Sequence, residues 1–152
     1  MEQEKFDELL NSIPLNFGQI QDVFYSGTDS NPAIVLIQDV HLNSEAQKNI
    51  AGMIQSLIEQ KKIDLVGVEG AFEKFDFSRF RAFPDKAITK LVADAYLEKN
   101  MLAAPSYVGI SSPINPPAFI GVDEKTHYDA NVQAYLTSRP LKEKISRDLE
   151  KR

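Results

Sequence analysis

Apolar positions along this chain fall into two periodicities. Short unbroken runs suit strands buried in a sheet, and stripes at three- and four-residue spacing suit helices packed on one. The runs are Ala33-Ile34-Val35-Leu36-Ile37, Leu65-Val66-Gly67-Val68 and Phe119-Ile120-Gly121-Val122. They predict strands over 33–38, 64–69 and 118–122. Ile20 to Tyr25 reads as a shorter strand, ahead of the turn-forming Ser26-Gly27-Thr28-Asp29-Ser30-Asn31-Pro32.

The helical stripes interleave with these runs. Phe6, Leu9, Leu10 and Ile13 predict a short helix over 4–12, ended by Pro14 and Gly18. Ala46, Ile50, Ile54, Leu57 and Ile58, with Met53 on the flank, predict a longer one. Ser44 and Gln47 before it form a capping-box pattern, and Lys61 and Lys62 suit the negative end of its dipole. Strand, helix and strand over 33–69 span the length of a βαβ unit, whose crossover is right-handed and whose strands are parallel. The fold class expected is therefore α/β, a mainly parallel sheet with flanking helices and a βαβ core at 33–69.

Beyond Gly70, the phenylalanines at 72, 75, 77, 80 and 83 fit no single regular element. They suggest a loop with a short helix, packed into the core or folded over the strand ends as a lid. Ile88, Leu91, Val92, Ala95 and Tyr96 predict a helix over 85–99 with that stripe facing inward. Residues 101–117, with Pro105, Pro113, Pro116 and Pro117, read as loop-rich. A helix over 125–137 follows, then an interruption at Pro140 and a charged C-terminal helix over 139–152. That last helix carries a narrow stripe, Leu141, Ile145 and Leu149, which needs a partner. The expectation is one α/β domain over 1–152, the N-terminal part of a longer protein or a shortened form of one.

Composition narrows the functional classes. The 152 residues are 43% hydrophobic and 26% charged, ordinary globular usage for one domain. There is no cysteine, which excludes disulfides, thiolate metal sites and thiol catalysis, and fits a cytoplasmic protein. The acidic start, Met1-Glu2-Gln3-Glu4-Lys5, lacks the order of a signal peptide, and no apolar run is long enough for a membrane span. A net charge of −5 without a basic block argues against nucleic acid. The mixed charges from Lys142 to Arg152 read as a solvated helix face. No phosphate-binding loop, GxGxxG or GxSxG pattern is present.

Ionisable residues follow all three apolar runs. Ligand sites of open α/β sheets lie at the carboxyl ends of the strands. Asp39 and His41 follow the first run, Glu69 and Gly70 the second, Asp123 and Glu124 the third. His41 can serve as a general base near neutral pH or as a metal ligand. Glu69, at the end of an apolar strand, calls for a partner such as His41, a metal or backbone amides. Gly70 permits close approach of backbone or ligand. Asp39 can orient His41 or bind a metal. Asp123 either joins the site or N-caps the helix that starts near Lys125. His127 turns toward the strand ends or toward solvent. Two histidines among carboxylates suit a divalent transition metal, with His41, Glu69 and Asp123 as its ligands.

Ile37-Gln38-Asp39-Val40-His41, the helix after it and Val66-Gly67-Val68-Glu69-Gly70 resemble a known superfamily. It joins erythromycin esterases, ChaN-like haem-uptake lipoproteins, and TraB and Tiki proteins. Members show a Gly-acid-x-His-like motif after one strand and a glutamate after the next. Asp39 and His41 match the acid and the histidine, and Glu69 the later glutamate, whereas Gln38 stands where glycine is usual. Gly121-Val122-Asp123 resembles a further family strand, so the likeness spans about residues 33 to 130. It implies an α/β fold with a site at the strand ends and leaves the chemistry open. Erythromycin esterases resemble water-activating hydrolases, Tiki proteins are metal-dependent proteases and ChaN-like members bind haem. Members are usually longer than this chain.

Three functions follow as expectations. One is a hydrolase in which His41 activates water directly or through a metal, Glu69 assisting and Asp39 and Gly70 contacting a small-molecule or peptide substrate. The second is a non-catalytic ligand-, haem- or metal-binding module. The third is an inactive fragment or interaction domain.

Overall fold

A computed structural model describes residues 2–25, 32–38 and 42–150, with side chains over 4–25, 32–38 and 42–142. Its elements in chain order are α1 (Glu2–Ser12), α2 (Ser44–Glu59), β1 (Leu65–Val68), α3 (Ser78–Arg81), α4 (Lys86–Glu98), α5 (Ala104–Ser111), β2 (Ala118–Gly121) and α6 (Lys125–Glu150). β1 and β2 form one small parallel sheet, so the fold is mixed and helix-rich, with helices flanking the sheet. Of the expected βαβ core at 33–69, the helix and the second strand are present. Residues 32–38 join no ladder, nor do residues 20–25. Parallel strands share bonds across long sequence separations, and an apolar run alone does not supply the partner.

The chain divides into two compact units, Met1–Val66 with Asp76–Phe119, and Gly67–Phe75 with Ile120–Arg152. In the first, α2, α4 and α5 pack against one another, and α3 rests on α5. Ala51, Ile54, Leu57 and Ile58 of α2, Ala93 and Leu97 of α4, and Ala104 and Val108 of α5 are buried. Phe77 meets Phe119 edge-on, with centroids 5.4 Å apart, so part of the phenylalanine-rich stretch is core while Phe80 and Phe83 are exposed. Arg81 knits α3 to the end of α5, its guanidinium donating to the carbonyls of Ser112 and Ile114 at 3.0 and 2.9 Å.

Local chemistry explains most helix ends. Asn43 caps α2, its Oδ1 accepting from Ala46 N–H at 3.0 Å. Ser44 is therefore the first helical residue and not the cap. Gln47 Oε1 accepts from Ala104 N–H at 2.8 Å and ties α2 to α5. Both α2 and α4 close with a Schellman motif. Lys62 N–H reaches Leu57 O and Lys61 N–H reaches Ile58 O, both at 2.9 Å. At α4, Met101 N–H reaches Tyr96 O at 2.8 Å and Asn100 N–H reaches Leu97 O at 3.0 Å. The left-handed residue is Lys61 (φ 56°) in one and Asn100 (φ 53°) in the other.

Three further expectations are corrected. Residues 101–117 contain a helix, α5, because Pro105 lies in the first turn, where no amide hydrogen is needed. The stripe Ile88, Leu91, Val92 and Tyr96 on α4 is exposed, and Ala93 and Leu97 of the opposite side face the core. There is no separate charged helix from 139. α6 runs through Pro140, whose ring suits a helical φ and removes one hydrogen bond within a long helix.

Candidate functional site

The second unit holds the ends of both strands and the loops that leave them. After β1 the chain passes through Glu69, which is exposed, and turns at Gly70. Gly70 has φ +75°, a backbone conformation that side chains with a Cβ rarely adopt. The segment then doubles back along β2. Lys74 makes an antiparallel bridge with Ile120, and Gly121 N–H donates to Glu73 O at 2.9 Å. Beyond β2, Val122 N–H donates to Val68 O and Asp123 N–H to Ala71 O, each at 3.1 Å.

This return brings the two strand ends together. Gly70 N–H donates to Asp123 Oδ2 at 2.6 Å, a short bond of the kind a carboxylate makes with an amide. Asp123 is half-buried, so a carboxylate oxygen is held at the mouth of the Glu69–Gly70 turn. The capping role that competed for Asp123 belongs to its neighbour. Glu124 accepts from His127 N–H at 2.9 Å and from Thr126 N–H at 3.1 Å, at the start of α6. The His127 amide first, with Thr126 assisting, holds the Glu124 carboxyl below its ordinary value. His127 itself points to solvent, its side chain 86% exposed, with Nδ1 3.4 Å from Glu124.

Gly121 is the residue that sequence reasoning passed over. A Cβ there would lie 2.1 Å from the Ala71 carbonyl carbon and 2.2 Å from Phe72 N. Only glycine lets the returning backbone cross β2 at this point, and a glycine inside a strand is the signal for such an approach. Phe72 is then fixed against the first turn of α6. Its ring lies edge-on to Tyr128 at 5.2 Å, with Lys125 Nζ 5.7 Å from its centroid.

Of the expected site residues, Gly70 and Asp123 meet at the sheet's carboxyl edge, and Glu69 precedes Gly70 in the chain with its side chain exposed. Asp39 and His41 lie outside the described residues. Among the described residues, no group of three or more His, Cys, Asp or Glu side chains could hold a metal ion. No helix among them is long and apolar enough to cross a membrane. What this edge offers chemically is an exposed carboxylate on Glu69 and an oriented one on Asp123, able to accept protons or to attract a cation. Compared with known protein families, curated proteins and solved structures, the chain matches none.

Proposed function

We propose that the chain carries a hydrolase-type site at the carboxyl ends of parallel strands, with water activated by His41 directly or through a divalent metal. The observation that carries this reading is the Gly70–Asp123 hydrogen bond, which joins the two strand-end loops bearing Glu69 and Asp123. In the proposal, residues 33–38 form a further strand beside β1, completing the βαβ core at 33–69 and delivering Asp39 and His41 to the same edge. The alternation along that segment supports a strand, since Ile34 and Leu36 are 84% and 79% exposed while Val35 and Ile37 are half-buried. His41 takes a proton from water, the oxygen attacks an ester or amide carbonyl carbon, and the leaving group departs with that proton. Glu69 orients His41 or shares the metal, and Asp39 and Gly70 contact the substrate.

Turnover of an ester and peptide panel, with and without added zinc or manganese, tests the chemistry. The expected result is activity lost in His41→Ala and reduced ~100-fold or more in Glu69→Gln, the usual scale for general acid–base groups. Unchanged turnover in His41→Ala would falsify the reading. Amide hydrogen exchange tests the strand separately, because pairing with β1 slows exchange in residues 34–37 and an unpaired segment exchanges fast.

A further inference from the structure

We infer that the first compact unit holds a binding cavity for a neutral amphiphile. α1, α2 and the segments 17–24 and 34–38 border a half-open cavity of about 670 Å³. That lies within the ~300–1,000 Å³ typical of small-molecule sites. Its apolar wall includes Phe6 and Leu9 of α1, Ile13 just after it, Ile50 and Met53 of α2, and Phe17 between the two helices.

The frame is preformed on that side. Phe17 packs so closely on α2 that a Cβ at Gly52 would sit 2.5 Å from its ring. Met53 closes on Gly18 in the same way, with Cε 3.2 Å from where a Cβ would stand. The two helices are tied beyond the cavity as well. Gln60 Nε2 donates to Ser12 O at 3.1 Å, and Lys62 pairs with Glu8. A wall held this way loses little freedom when a ligand enters.

The polar lining selects the ligand class. Gln19, Gln21, Gln38 and Asn49 offer neutral amides, and Asp22 is the single charged residue among the described lining. Asp22 Oδ1 already accepts from Val23 N–H at 2.8 Å. No lysine, arginine or histidine lines the cavity among the described residues. A carboxylate or phosphate head would lose its water without gaining a counter-charge, whereas a hydroxyl or amide head finds partners. The occupant is therefore an apolar chain or ring system with an uncharged hydrogen-bonding head. The described lining includes neither Glu69 nor Asp123, and a binding assay needs no turnover, so failure of this inference and failure of the hydrolase reading are told apart.

Fluorescence titration of the full chain with N-phenyl-1-naphthylamine tests it, with 1-decanol and decanoate as competitors. The expected result is saturable binding of one probe per chain, displaced by 1-decanol at least tenfold better than by decanoate. Ile50→Trp fills the cavity and removes binding, while Leu91→Ser, on the exposed face of α4, leaves it unchanged. Leu10→Trp repeats the blockade from α1 should Ile50→Trp fail to fold by circular dichroism. Unsaturable binding, equal competition by decanoate, or binding that survives a folded tryptophan variant overturns the proposal. Equal loss in Leu91→Ser does so too, by showing adsorption to exposed apolar surface.

Discussion

α2 and α4 belong to one packed layer and carry equally plain apolar stripes, yet they obey their sequences differently. On α2 the predicted stripe is the buried one, with Leu57 only 2% exposed. On α4 the predicted stripe faces out, Leu91 being 68% exposed, and the helix packs through Ala93 and Leu97. α4 is apolar on more than one side, so its own pattern does not choose a face. Two tertiary features choose. Ala93 is small and buried on a helix that packs against α5, where Ala104 and Val108 are also buried, and small side chains let helix axes come close. Asp94 on the same side accepts from Tyr107 of α5 at 2.7 Å and from Lys90 at 2.8 Å, a polar tie that Leu91 and Val92 cannot make. Helical spacing establishes that a helix exists, and the neighbour decides which side it uses.

Paired truncations put the largest effect on this contrast. Leu57→Ala is expected to cost ~2–5 kcal/mol in urea unfolding, as for other large-to-small core changes. Leu91→Ala is expected to stay within ~0.5 kcal/mol of the parent, as for exposed positions. Equal costs would mean that α4 buries its other face and would break the comparison.

The helix ends sharpen it on a smaller scale. Both Schellman motifs hold a residue with a Cβ in the left-handed region, which glycine adopts freely. Lys61→Gly is expected to raise stability by up to ~1 kcal/mol, and Asn100→Gly by less, since asparagine tolerates this conformation better. Thermal melts that ranked the two in the opposite order would show that Asn100 is more strained than its residue type suggests.

The smallest effect is electrostatic and belongs to α4 alone. Burial acts to raise the Asp94 carboxyl, but the hydrogen bonds from Lys90 and Tyr107 prevail and hold it below its ordinary value. Lys90 is shifted upward, chiefly by its bond to Asp94 and against the pull of burial. A lowered acid stabilises the fold above its unfolded pKa of ~3.9 and loses that contribution as pH falls through the folded value. A raised amine contributes fully below ~10.4 and loses its share as pH rises through the folded value. Both side chains are substantially exposed, so the pair is worth at most ~1 kcal/mol. The Tm difference between the parent and Asp94→Asn is therefore expected to be flat between about pH 5 and 9 and to shrink outside it. A difference that does not change with pH removes Asp94 from the tie.

At the site, legibility depended on how local the cause was. β1 and β2 lie close to where their apolar runs predict, and Gly70 falls at a turn that needs its φ. The choice between Asp123 and Glu124 as cap was not legible. Both are acids at the start of one helix, and the decision rests on Gly70, which is remote in sequence and adjacent in space. The return of residues 71–74 along β2 was equally hidden, although Gly121 marked it. Pro105 and Pro140 misled for a related reason. Proline forbids one hydrogen bond and not a helix, so its effect depends on where the helix begins.

By itself the amino-acid sequence determined where helices and strands can form, because periodicity, capping residues and left-handed turns act over a few residues. It also determined the class of chemistry available, through acids and histidines without thiols. Only the tertiary structure decided which face of α4 is buried, which acid reaches Gly70 and how α1 and α2 frame a cavity. Those outcomes turn on contacts between distant segments, whose free energies differ by little until the chain has folded around them.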